Sequence, residues 1–360
     1  MAEPLKLMYS DEKLKELSAE LKKHNKKFDE KLFLGNFKTR AWKDAELKAR
    51  VTIISIAIHE ALGSDYEKNI EVLIPVSWKF KWGFFGVFFS EYVERFGMDH
   101  WQTSMKAFEE FTQTSTAEFS IRKFIRKDPK RSMKQMLLWS KSKNHHLRRL
   151  SSEGCRPRLP WGMKLDEFVA DPKPVIEILE VLKKDKELYV MKSVANNLND
   201  ISKDHPEVAL KLAREWKGKN ENTDWIVKHG MRTLLKKGNK QALSLFNHHD
   251  SEGIVVNDLN LSPAKLKIGD ELVFSFQVIN EKKRAAELRV EFAVDYVKST
   301  GKLSRKIFHV TKIKLENTPL RLTRKLKLTD YTTRKHYPGV HHIHILVNGE
   351  VKASDSFKLS

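Results

Sequence analysis

Apolar residues recur at helical spacing through the first two thirds of the chain. Leu14, Leu17 and Leu21 fall on one helix face, and Val175, Ile178, Leu179 and Leu182 on another. Glycine and proline sit mostly between such segments. The pattern changes character across residues 247–253. Beyond that point the period is two: Leu272, Phe274, Phe276 and Val278 alternate with other residues. So do Leu288, Val290, Phe292 and Val294, and then Leu320, Leu322, Leu326 and Leu328 on either side of a slip. Turn signals at Ile268-Gly269-Asp270, Pro338-Gly339 and Asn348-Gly349 separate these segments, which read as about seven short strands. The prediction is a multidomain chain, α then β: a helical domain over residues 1–250 and a β-sandwich over residues 254–360.

The helical part contains a repeat. Setting His146-Leu-Arg-Arg-Leu150 against the blocks that begin at Tyr189 and Trp225 gives offsets of 43 and 36 residues, and a shorter helix precedes each block, ending near Trp139, Leu182 or Trp216. Helix pairs at such periods are the signature of a HEAT-like α-solenoid, whose second helices line a concave face. In this alignment Arg149, Lys192 and Lys228 are equivalent, as are Glu153, Asn196 and Arg232, so a basic row runs along successive second helices. The alternative is an ordinary helical bundle with solvated charged faces.

Length and composition narrow the function. The 360 residues are 40% apolar, enough for two or three packed domains, and the formal net charge of +20 attracts polyanions. No run approaches a membrane span, and the start of the chain lacks the apolar core of a signal peptide, so a soluble cytoplasmic protein is expected. The single cysteine, Cys155, excludes an internal disulfide and any Cys-x-x-Cys site and is expected to be buried packing. His341, His342 and His344 invite a metal reading, but no further ligands stand at a recognisable spacing, so neither a metal nor another cofactor is expected.

Within this basic chain, carboxylates sit where cations are densest. On a helix, Arg149, Glu153 and Arg156 fall at i, i+4 and i+7, and Lys192, Asn196 and Asp200 at i, i+4 and i+8. A surface that only gripped phosphates would gain nothing from Glu153 and Asp200, because a carboxylate beside a polyanion is repelled. A cation is therefore expected at that face. A second basic patch, Arg122 to Lys134, holds seven basic residues and one acid, although Arg122 also has Glu118 one turn away as an ion-pair partner.

Four blocks, Glu118-Phe-Ser-Ile-Arg122, Arg148-Arg-Leu-Ser-Ser-Glu-Gly154, Arg156-Pro-Arg-Leu-Pro-Trp161 and Ser193-Val-Ala-Asn-Asn-Leu-Asn-Asp-Ile-Ser-Lys-Asp-His-Pro206, closely resemble the AlkC branch of the AlkC/AlkD-type alkylpurine DNA glycosylases. The resemblance spans most of the first 250 residues. It implies HEAT-like repeats that hold duplex DNA on their concave surface and excise cationic N-alkylated bases, chiefly 3-methyladenine. Some members carry an appended immunoglobulin-like domain, and Tyr337-Pro338-Gly339 is similar to the tyrosine corner of such domains. By this resemblance Glu118, Glu153, Asp200 and Trp161 would line the active site.

The residue chemistry agrees. An N3-alkylated purine carries a formal positive charge that weakens its glycosidic bond, and its departure as a neutral base leaves an oxocarbenium-like sugar that a nearby carboxylate stabilises. Trp161 offers a π face to a cationic base or sugar. Arg148, Arg149, Arg156, Arg158, Lys192 and Lys228, together with Arg122, Asn196 and Lys203, are expected to bind the DNA backbone. No lysine carries a sequence sign of activation for Schiff-base chemistry, so a monofunctional glycosylase acting as a monomer is expected. The rival reading is a non-catalytic HEAT-type scaffold that binds nucleic acid or acidic proteins. Residues 251–360 carry an excess of eight positive charges (20 Lys and Arg against 12 Asp and Glu). A DNA clamp, with Lys312, Lys314, Arg321, Arg324, Lys325 and Lys327 among its cations, is the expectation for the sandwich.

Overall fold

The computed structural model describes residues 4–81, 83–246, 253–282, 284–330 and 335–360. Most of the sequence transition at 247–253 lies outside the described residues. The chain divides into two compact units, Met1–His205 with Trp216–Gly230, and Pro206–Glu215 with Met231–Ser360.

The first unit is helical. Asp11–His24, Leu47–Leu62, Tyr66–Lys79, Val87–Phe96 and Trp101–Thr114 lead into the repeats. There we label α1 (Ile121–Lys127), α2 (Pro129–Trp139), α3 (His145–Gly154), α4 (Lys173–Leu182), α5 (Leu188–Asp204) and α6 (Glu221–Gly230). Sequence-coded caps set the starts. Asp128 accepts from Arg131 N at 3.0 Å with Pro129 in the first turn of α2, and Asn144 accepts from His146 N at 2.9 Å ahead of α3. The second helices stack in order: α3 packs on α5, and α5 on α6, while the first helices α2 and α4 pack on each other. Their seams are the apolar stripes of the sequence, Val175, Ile178, Leu179 and Leu182 on α4 and Val190, Val194, Leu198 and Ile201 on α5, all buried. A Cβ on Gly230 would stand 2.7 Å from Leu198 Cδ2, so α6 approaches α5 as closely as only glycine permits.

The strands of the second unit are β1 (Ile254–Ser262), β2 (Lys265–Leu266), β3 (Glu271–Asn280), β4 (Ala286–Val297), β5 (Leu303–Leu315), β6 (Leu320–Lys327), β7 (Gly339–Val347) and β8 (Glu350–Leu359). They form two sheets, ordered β1-β3-β6 and β2-β8-β7-β4-β5. The alternating residues meet between the sheets: Leu272, Phe274, Phe276 and Val278 from β3 against Leu288, Val290, Phe292 and Val294 from β4. One strand beyond the expected seven is the two-residue β2, too short to show a period. The slip expected in the 320–328 segment is absent. β6 pairs with β3 in unbroken register from Leu320 to Lys327, and Arg324 takes the position between Leu322 and Leu326. Its guanidinium donates to Val310 O at 3.2 Å. A long side chain with a polar tip thus occupies a site that hydrophobic periodicity assigns to leucine.

At Tyr337, whose residue type prompted the tyrosine-corner reading, the structure uses the main chain. His341 is buried, its Nε2 donates to Tyr337 O at 3.0 Å and its Nδ1 accepts from Val297 N at 3.4 Å. His344 instead faces Ser354 (2.7 Å) and Asp295 (3.1 Å). Among the described residues no group of three or more His, Cys, Asp or Glu is arranged to hold a metal ion, and no helix is long and apolar enough to cross a membrane.

Candidate active site

Three elements bring the three predicted carboxylates onto one row. Glu118 lies in the turn before α1, Glu153 in the last turn of α3, and Asp200 near the end of α5. Glu118 Oε2 accepts from Thr116 Oγ1 at 2.6 Å and from Arg149 Nη1. Arg149 Nη2 stands 3.7 Å from Glu153 Oε1, which accepts from Arg156 Nη1 at 2.7 Å. Arg156 Nε then donates to Asp200 Oδ2 at 2.8 Å, and Lys203 Nζ to Asp200 Oδ1 at 2.9 Å. The row therefore alternates, Glu118, Arg149, Glu153, Arg156, Asp200, Lys203, and its carboxylates are buried, Asp200 completely.

The electrostatics follow from that alternation. Burial alone would weaken the charge on Arg149, but Glu118 and then Glu153 more than offset it and hold its pKa above the ordinary value. Burial opposes the charge on Arg156 in the same way, and Glu153 and Asp200 reverse the effect. Glu118 uses Oε2 and Glu153 uses Oε1 for these bonds, whereas Asp200 commits both oxygens. The two glutamates thus each keep one oxygen outside the row, and the arginines hold the carboxylates in fixed orientation.

Trp161 lies on the loop that follows α3. It is 59% exposed and has a positive φ of 65°, a conformation that costs a bulky residue backbone strain. Lys48 Nζ donates to its carbonyl, and the Phe84 ring meets the indole edge-on with centroids 6.1 Å apart. Phe84, Phe119, Trp161 and Met163 line a cleft of about 300 Å³, with Glu91 and Glu94 also on its wall. Burial raises the Glu94 carboxyl above its usual range, with Glu91 adding to the effect. Phe84 is far away along the chain from Trp161 and lies in a separate apolar stretch, so no local pattern signals that the two rings meet.

The predicted backbone-binding residues divide into groups. Lys192 and Lys228 are exposed on α5 and α6, Asn196 is half-buried one turn after Lys192, and Lys203 is half-exposed beside Asp200. Arg158 pairs with Asp204 through two bonds of 2.7 Å and remains 39% exposed. Arg148 is bound to Asp185 at 2.6 and 3.1 Å and also donates to Ser142 O and Lys143 O. Through these bonds it ties the start of α3 to Asp185 and to the carbonyls of residues 142 and 143. Arg149 and Arg156 likewise point their guanidiniums at the carboxylates.

Arg122 is the clearest correction. It is 0% exposed and pairs neither with Glu118 nor with solvent. Its Nε donates to Met163 O at 2.8 Å, its Nη1 to Gly154 O and Arg156 O at 2.8 Å each, and its Nη2 again to Met163 O. Burial draws its pKa down to about 10. A residue type that periodicity assigns to a solvated basic patch is here sealed inside. Cys155 is buried as expected: its Sγ bonds to Ser151 O at 3.1 Å, and burial pushes the thiol up to about 12.

Two participants carried no flag in the sequence. Tyr189 served only as an anchor of the repeat alignment, yet its ring lies under Arg149, with Cζ 4.8 Å from the ring centroid. Thr116 shares Glu118 with Arg149 and accepts from Arg149 Nη1 at 3.1 Å. The spacing of Arg149, Glu153 and Arg156 at i, i+4 and i+7 is the signal in the sequence that foretold contacts of this kind.

Comparison with known proteins identifies the family of the chain. Residues 255–360 match the family described as the C-terminal Ig-like domain of the protein YhaZ. The whole chain is 42% identical over 356 residues to YhaZ of Bacillus subtilis (strain 168), covering 99% of each chain. It superposes with a TM-score of 0.96 on Pseudomonas fluorescens alkylpurine DNA glycosylase AlkC bound to DNA containing an abasic site analog, at 38% identity, covering 99% of this chain and 100% of that one. With a HEAT-like helical array, an Ig-like sandwich and this likeness over nearly its whole length, the chain belongs to the AlkC branch of the HEAT-like-repeat alkylpurine DNA glycosylases, with an appended immunoglobulin-like domain.

Proposed function

We propose that this chain is a monofunctional DNA glycosylase of alkylation repair that excises cationic N3-alkylated bases, 3-methyladenine first and 3-methylcytosine as a further candidate, from duplex DNA. The observation that carries the reading is the alternating row of buried carboxylates and arginines, in a fold that superposes on AlkC bound to abasic-site DNA. Alkylation makes the base a good leaving group, so the remaining task is to stabilise the positive charge that grows on the deoxyribose as the glycosidic bond breaks. Glu118 and Glu153 suit that task, since each holds one oxygen on an arginine and leaves the other outside the row. A carboxylate fixed before the reaction spends no reorganisation energy as the cation develops, and it orients a water for attack at C1′. Asp200, with both oxygens committed, acts through Arg156.

Backbone contact falls to the exposed cations, Lys192 and Lys228 on the second helices with Lys203 and Arg158 beside them. Residues 1–250 form the excising domain in this reading. Residues 254–360 form a sandwich that adds phosphate contacts through the exposed Lys312, Lys314, Arg321, Lys325 and Lys327 of β5 and β6. Trp161 lays its π face against the damaged nucleotide. Lysine chemistry on the abasic product is no part of the scheme, and Lys203 is engaged with Asp200.

The test is chromatographic separation of the bases released from N-methylated duplex DNA. Free 3-methyladenine, with the strand left uncleaved at the abasic site, is the expected result. A folded, DNA-binding protein that releases no methylated base would establish the non-catalytic scaffold instead.

A further inference from the structure

We propose that Arg122 is the positioning residue of the excision site: by holding the carbonyls of Gly154, Arg156 and Met163, it sets the segment that carries Glu153, Arg156 and Trp161 against the turn that carries Glu118. The inference rests on the excision reading above and adds to it a residue that touches neither substrate nor carboxylate.

Arg122 sits at the start of α1, one turn after Glu118, and its four donated bonds run to three carbonyls at both ends of the loop that follows α3. Gly154 O belongs to the last turn of α3, where carbonyls have no partner inside the helix and a cation is favoured by the helix dipole. Arg156 O and Met163 O bracket Arg158 and Trp161. Within the loop, Gly162 N donates to Leu159 O at 3.1 Å and Leu165 N to Pro157 O at 3.2 Å, so the segment moves as a unit once its ends are held. The packing leaves no slack: a Cβ on Gly154 would stand 2.7 Å from Ile121 Cγ2 and 2.8 Å from Met136 Cε.

None of these bonds goes to a carboxylate. A buried cation without a charged partner costs more than an apolar side chain of the same size, so its placement serves geometry. Only a guanidinium has the planar fork that reaches three carbonyls at once; an ammonium donates from a single atom.

The experiment uses the full chain with Arg122→Lys and Arg122→Ala. Four quantities are read: single-turnover release of 3-methyladenine, equilibrium DNA binding with its salt dependence, melting, and the fluorine resonance of Trp161 in fluorotryptophan-labelled protein, assigned with Trp161→Phe. For Arg122→Lys we expect release to fall about a hundredfold, as for a small misplacement of reacting groups, with DNA affinity held within about twofold and the Trp161 resonance shifted or broadened. Added guanidinium should restore at least about tenfold of the rate in Arg122→Ala. If Arg122→Ala does not fold, Arg122→Lys carries the test.

A variant that keeps its release rate and leaves the Trp161 resonance unmoved overturns the proposal. So does a parallel loss of rate and affinity with the salt slope reduced by about one, the mark of a phosphate contact. If the native chain releases no base, the glycosylase reading fails by itself. The fluorine resonance then decides alone: a shift in Arg122→Lys upholds the positioning role and an unmoved signal ends it.

Discussion

Arg156 Nε lies 2.8 Å from Asp200 Oδ2, and both side chains are buried, Asp200 completely. The same guanidinium reaches Glu153 at 2.7 Å, so one side chain joins the last turn of α3 to α5. Removing it leaves Asp200 with Lys203 alone and Glu153 with Arg149 at 3.7 Å. Arg156→Met should therefore destabilise the chain by about 3–5 kcal/mol, the cost of stranding buried charge, as measured by denaturant titration. Asp200→Asn should recover part of that loss when added to Arg156→Met, because it removes one stranded charge. A purely additive double variant would show that the two residues do not act as a pair.

Trp161 separates stability from chemistry. Its side chain is mostly exposed and its backbone sits at a φ of 65°, where glycine is at ease. Trp161→Gly is expected to leave melting unchanged or to stabilise the fold by about 1 kcal/mol, while base release drops. Destabilisation together with unchanged release would mean that the indole serves packing.

The exposed lysines of the second helices make a salt prediction. Lys192→Ala and Lys228→Ala should each flatten the slope of log affinity against log salt by about one and leave saturating single-turnover release intact. An unchanged slope in both would move the DNA path away from α5 and α6.

How far the sequence reached depends on the range of the signal. The stripe Val175, Ile178, Leu179, Leu182 and the alternation Leu272 to Val278 are local periodicities, and both elements formed where those residues said. Repeat alignment carried the reading to tertiary level, placing α3, α5 and α6 side by side and so bringing Glu153 near Asp200. Charge defeated it. Arg122 and Arg148 read as solvated cations, because nothing local shows that carbonyls of residues 154–163, or Asp185 beyond α4, will close over them. Arg324 misled in the opposite sense: a polar tip on a long apolar stem filled a core-facing position and passed for a slip. The neighbours of Trp161 were invisible for a third reason, since Phe84 and Phe119 meet it through folding alone.

Acid should reveal one ion pair in the sandwich. Two bonds of 2.7 Å from Arg305 hold the Asp295 carboxyl below its ordinary range against the opposing effect of burial, with His344 assisting at 3.1 Å. A depressed carboxyl contributes stability that is complete above the unfolded value and is lost as pH falls through the folded one. Asp295→Asn should thus be less stable than the native chain at neutral pH, by no more than about 1 kcal/mol given the exposure of Arg305. The gap should close below about pH 4. A gap that persists into acid would assign the effect to packing.

Cys155 has one further consequence. On a cysteine, the thiolate and not the thiol is the nucleophile that an electrophile meets. Here the chain's single thiol is sealed between α3 and Asn197, and burial keeps it protonated far above neutrality. The folded molecule therefore presents no thiolate to electrophiles at neutral pH.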